Sequence, residues 1–179
     1  MPSNRLGKIQ KHIARKKGKN PTLHENSRDT QRLQSASQRD NKLNRLTAVR
    51  EKQNRPYVLR VKFFQSHSLE HDSAFNIADI QTFIEGYLNR DSEELAALSA
   101  ERRPGRPPST RLTSLKQNQV QEQGEYTSGF WLPDLEDKSN LQKLNDWNGQ
   151  WSSLSTIKFV RIAKDGTKRE SMFPPKGLS

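Results

Sequence analysis

The sequence contains no cysteine. That excludes disulfides and thiolate metal sites, and it fits a reducing compartment. Large apolar side chains are also scarce. Hydrophobic residues make up 30% of the 179 positions, against ~45–50% apolar, glycine included, in ordinary globular domains. The nine glycines do not close that gap. Burial of apolar area is what offsets chain entropy on folding. One small core is therefore expected, with the remaining residues extended or ordered by a partner. No apolar run approaches the ~20 residues that span a bilayer. The opening residues lack the apolar stretch that heads a secretory signal. Aromatic residues are absent before Tyr57, so the N-terminal third lacks the aromatic face of a helix that lies on a membrane. No membrane partner is expected.

What is abundant is positive charge, and it is segregated. Residues 1–62 carry 17 Lys and Arg against 4 Asp and Glu, or +13; the other 117 residues carry 14 against 16, or −2. Solubility alone needs no such asymmetry. A polyanionic partner explains it, because each neutralised phosphate releases condensed counterions.

The chain reads as mainly α: several helices with a small core, a long basic N-terminal extension and a short C-terminal β element. Residues 1–28 form the basic arm, in which 8–17 could be helical once docked. Residues 29–163 form the helical region, with its core at about 57–163, and 164–179 are a tail. A thinly apolar helix is expected from Asp29 to about Asn54, interrupted by Pro56. A second helix then runs to Leu69. The clearest amphipathic helix spans about Asn76 to Asn89, where Ile77, Ile80, Ile84, Tyr87 and Leu88 recur at three- and four-residue steps. Asp91 and Glu94 have capping-box spacing for the next helix, and a further helix is expected over about 109–124. Phe130–Leu135 reads as a rigid hydrophobic turn. Leu141, Leu144 and Trp147 mark a short helix closed by Asn148-Gly149. The run from Ile157 to Ile162 is β-rich, and Asp165-Gly166 is a hairpin-type turn.

Few residues suggest catalysis. His67-Ser68-Leu69-Glu70-His71 matches the H-x-x-E-H pattern of inverted zinc peptidases. Such a site needs a third ligand, for which Glu125 and Glu136 are the obvious carboxylates, and a walled cleft. The preferred reading is a set of surface residues at a fraying helix end. No Gly-rich phosphate loop or nucleophile elbow is present, and His12 and His24 lie in the basic arm. The expectation is no enzyme activity, no catalytic residue, no metal, no cofactor and no small-molecule substrate.

Two basic stretches carry the binding argument. Arg15-Lys16-Lys17-Gly18-Lys19 suits nuclear import or phosphate contact. In the second, Arg102, Arg103, Arg106 and Arg111 are interleaved with prolines that favour extended backbone. Their guanidinium forks could track a phosphate chain with little ordering cost. Trp131, Trp147 and Trp151 could stack on bases; core packing is favoured for Trp147 and left open for the other two. A nuclear DNA- or chromatin-binding protein is the alternative to an RNA binder, although no duplex-reading motif is evident.

Several short stretches then converge. Arg60-Val61-Lys62-Phe63-Phe64-Gln65, Thr82-Phe83-Ile84, Arg90-Asp91 and Glu94-Leu95 resemble the translation machinery-associated protein 16 family. So do Arg102-Arg103 with Arg106-Pro107-Pro108-Ser109, Gly129-Phe130, Pro133-Asp134-Leu135, Trp147-Asn148-Gly149 and, in the arm, Lys16-Lys17-Gly18-Lys19-Asn20. Order and spacing match over about residues 5–163. The resemblance implies a non-catalytic ribosome biogenesis factor of eukaryotes that binds pre-60S precursors of the large ribosomal subunit. Its partners would be large-subunit rRNA, ribosomal proteins and other assembly factors, and it would be a monomer within the particle. Its place would be the nucleus, nucleolus or nucleoplasm, with shuttling to the cytoplasm an open alternative. The expected rRNA-binding set is Arg15, Lys16, Lys17, Lys19, Arg60, Lys62, Arg102, Arg103, Arg106 and Arg111.

Overall fold

Helix periodicity dominates the chain, and the computed structural model, which describes residues 5–18, 23–69, 74–101, 103, 105 and 107–175, is mainly helical. Its described elements are α1 (Arg5–Lys17), α2 (Arg28–Ser68), α3 (Ile77–Leu88), α4 (Ser92–Ala100), α5 (Thr110–Ser128), β1 (Phe130–Pro133), α6 (Lys138–Asn145), a 3-10 turn (Trp151–Thr156), β2 (Phe159–Ile162) and β3 (Lys168–Ser171). The chain divides into two compact units, Met1–Arg55 and Pro56–Ser179.

In the first unit, α1 lies antiparallel to the start of α2. The Leu6 backbone N–H donates to Asp40 Oδ2 at 3.3 Å, and Lys17 Nζ meets Asp29 Oδ2 at 2.7 Å. Ile13 and Ala36 are the buried apolar residues here among those described. Ser27 opens α2, its hydroxyl accepting from the Thr30 N–H at 3.2 Å. The helix of the basic arm, α1, thus forms a hairpin with the start of α2 within the chain, and it begins three residues earlier than expected. From 41 to 53 every α2 residue is exposed, including the apolar stripe Leu43, Leu46 and Val49.

α2 does not stop at Pro56, which lies inside it. In the second unit its last turns bury Val61 and Phe64, and α3 adds Ile80, Ile84 and Tyr87. Each such side chain contributes about 1.5–3 kcal/mol when fully buried. A three-stranded antiparallel sheet, ordered β1-β2-β3, completes the core. Phe130 pairs with Ile162 and Pro133 with Phe159; Phe159 in turn pairs with Ser171. The stretch read as a hydrophobic turn is therefore strand β1, buried at all four positions. Part of the expected tail is strand β3, joined to β2 through the Asp165-Gly166 turn, where Gly166 has φ 83°.

Polar side chains close the gaps. Gln65 Nε2 donates to the Leu144, Asn145 and Trp147 carbonyls at 2.9, 3.1 and 3.0 Å, fixing α2 to the end of α6. Buried Asn140 donates to Asp134 O and Lys158 O and accepts from the Lys158 N–H at 2.7 Å. The Asp91–Glu94 capping box does not form. Asp91 makes no side-chain cap and pairs with Arg90, while Glu94 pairs with Arg111. Two arginine forks outcompete the helix amides.

Candidate nucleic-acid interface

The structural unit boundary sharpens the charge segregation. Residues 1–55 carry 15 Lys and Arg against 4 Asp and Glu, or +11; residues 56–179 carry 16 against 16, or zero. The entire net charge belongs to the α1–α2 hairpin unit.

The expected binding residues are placed differently from one another. Arg15, Lys16 and Lys17 end α1, and all three are exposed. Lys17 is tied to Asp29, holding that carboxyl below its ordinary range. Lys19, Arg102 and Arg106 lie outside the described residues. Arg103 is exposed. Arg111 is exposed too, but its Nε and Nη2 sit 2.7 and 2.8 Å from the Glu94 carboxylate. Surface pairs of this kind are weak, so a phosphate could replace Glu94. Lys62 is exposed on α2, its chain passing over Gly149.

Arg60 is the exception, and its role as a phosphate contact is corrected. It is 6% exposed, with Nη1 and Nη2 at 2.7 and 2.8 Å from the two Glu125 oxygens and Nη1 also donating to Trp131 O at 3.3 Å. The guanidinium lies 4.2 Å from the Phe130 ring centroid. Burial opposes its charge, but the Glu125 carboxylate more than compensates and raises the Arg60 pKa. This fork joins α2, α5 and β1 and is closed to an external ligand.

The tryptophans and the histidine motif are equally occupied. Trp131 is 1% exposed and stacks on Phe159 at 4.3 Å between centroids. Trp147 is buried with its indole N–H on Gln150 O at 2.9 Å. Half-buried Trp151 packs against Phe173. Of the zinc-type motif, Glu70 and His71 lie outside the described residues. His67 is bonded through Nδ1 to Phe63 O at 2.8 Å and packs on the Phe63 ring. Glu125 is held by Arg60 and Glu136 by Lys168, so neither carboxylate is open as a third ligand.

One feature of the interface lies outside the expected binding residues. A cleft of about 490 Å³ runs between α1 and α2, lined by Arg5, Arg28, Arg32, Arg39, Gln31 and Ser35. Ile9 and buried Ala36 supply its apolar part. The signal was the spacing of Arg28, Arg32, Ser35 and Arg39, one stripe of a helix. It is easily missed because these residues are not contiguous like the Arg15–Lys19 cluster.

One unit is a basic helical hairpin and the other a charge-neutral helix-and-sheet core, which defines a mainly helical protein whose net charge is segregated from its core. The family model described as translation machinery-associated protein 16 matches residues 19–164. A Saccharomyces cerevisiae protein of that name is 36% identical over 165 residues, covering 90% of this chain and 92% of its own. The Mus musculus protein is 26% identical, covering 92% and 74%, and the Xenopus laevis one 27%, covering 79% and 74%. The chain belongs to the translation machinery-associated protein 16 family, and is thereby a translation machinery-associated protein.

Proposed function

We propose that the chain is a nuclear ribosome biogenesis factor that binds pre-60S particles through rRNA phosphates and neighbouring ribosomal proteins. The observation that carries this reading is the confinement of the +11 net charge to residues 1–55, within a chain of this family. A hairpin so charged repels itself unless a polyanion neutralises it. The role is steric and architectural, without chemistry: the hairpin and the Arg103–Arg111 stretch hold local rRNA shape, and the protein leaves as the particle matures. The test is sedimentation of the tagged chain in nuclear extract. It should migrate with large-subunit precursors, and raising salt should release it with a log–log slope near −0.7 to −0.9 per phosphate contact. Migration only at the top of the gradient, even in dilute buffer, would end this reading.

A further inference from the structure

We infer that the cleft between α1 and α2, not the Arg15–Lys19 cluster, is the principal phosphate grip, and that it takes the backbone of an RNA strand. The inference rests on the RNA-binding reading above and assigns it a site. Arg28, Arg32 and Arg39 recur along one stripe of α2, so the cleft extends roughly 16 Å along the axis at the helical rise. Arg5 faces the same space from α1. All four are exposed, and none forms an ion pair with a described residue. The nearby carboxylates are committed elsewhere. Asp29 is bound to Lys17, with Arg32 adding only a distant attraction, and Asp40 accepts the Leu6 N–H.

Arg60, Arg90 and Arg111 each take a carboxylate in two-pronged fashion. Leaving four guanidinium groups together without one is costly unless an anion enters. The guanidinium fork matches phosphate oxygens two at a time. Gln31 and Ser35 add neutral hydrogen-bonding groups of the kind that meet ribose hydroxyls. The elongated shape and the spacing of the forks fit successive phosphates of a chain better than one compact anion.

The experiment uses the full chain and polyuridylate RNA, with binding followed by fluorescence anisotropy across a salt series. The variant Arg28→Ala/Arg32→Ala/Arg39→Ala keeps helix-forming residues at every changed position. It should bind at least about tenfold more weakly and lose about 2 from the log–log salt slope, as expected for roughly three lost contacts. Arg15→Ala/Lys16→Ala should change both far less. In the unaltered chain, RNA should slow modification of Arg28, Arg32 and Arg39 by phenylglyoxal but leave Arg169 unaffected, a readout independent of how the variant folds. If the unaltered chain binds RNA and the triple variant binds equally well, or the three arginines stay unprotected, the cleft is the wrong site while the RNA reading stands. If the unaltered chain ignores RNA, both fall. Equal affinity for duplex DNA would overturn the assignment of the occupant.

Discussion

Arg60 and Asp137 show how two charged residues of similar appearance in the sequence do different work. Arg60 sits in a basic-looking stretch, Arg60-Val61-Lys62, and nothing local distinguishes it from a surface cation. Its partner Glu125 is 65 residues away, beyond the range of any spacing rule, which is why the sequence placed it in the interface. Removing one member of a buried pair leaves an uncompensated charge. Arg60→Leu should therefore lower stability by about 3–5 kcal/mol in urea unfolding, and Arg60→Met/Glu125→Leu should recover most of it. RNA affinity measured on the folded variants should not change, since Arg60 touches no exterior surface. Asp137 is held well below the usual carboxyl range, chiefly by Lys158, then by the Ser139 hydroxyl and N–H at the start of α6. A lowered folded-state pKa means that its stabilisation is complete above the ordinary value of 3.8 and is lost as pH falls toward the folded value. Asp137→Ala should flatten the acid limb of the stability profile below that pH, measured as urea midpoint against pH, and lower the midpoint at neutral pH.

Elements were legible wherever one apolar period ran uninterrupted. In α3, Ile77, Ile80, Ile84 and Leu88 announced the helix, and its observed ends fall one residue inside those expected. The Asp165-Gly166 turn was equally plain, because it needs a residue at positive φ. β1 was not, because Phe-Trp-Leu-Pro is buried on both faces and so shows no alternation for a period of two to reveal. β3 failed for the opposite reason. Lys-Arg-Glu-Ser has no apolar residue, and only its pairing with β2 makes it a strand. Proline lacks an N–H and crowds the preceding turn, so a break at Pro56 is expected; packing within the second unit, through Val61 and Phe64, overrides that preference. Pro56→Ala would restore an amide for the Lys52 carbonyl. It should raise stability by roughly 1–3 kcal/mol, given the cost of proline in a helix interior, with a gain in helical far-UV signal. An unchanged or lower urea midpoint would show that the proline is not strained in α2.

For the whole molecule, charge and core are properties of different parts. The large buried side chains belong to residues 56–179, whose formal charge is zero, and the hairpin unit of residues 1–55 buries only Ile13 and Ala36 among its described apolar residues. Stability and polyanion affinity should therefore separate cleanly. A chain of residues 56–179 retains the core built by α3, α5, α6 and the sheet, so it should unfold cooperatively in urea. It also loses 15 of the 31 Lys and Arg residues, among them the four cleft arginines. Its affinity for RNA should drop by orders of magnitude at moderate salt, since phosphate contacts supply essentially all of sequence-independent binding. What binding survives would report the Arg103–Arg111 stretch alone, with a salt slope near −1 to −3 for the few contacts it can make. A fragment that kept the full slope would move the phosphate grip out of the hairpin and into residues 56–179. A fragment that failed to unfold cooperatively would mean that the hairpin supports the core as well as the charge.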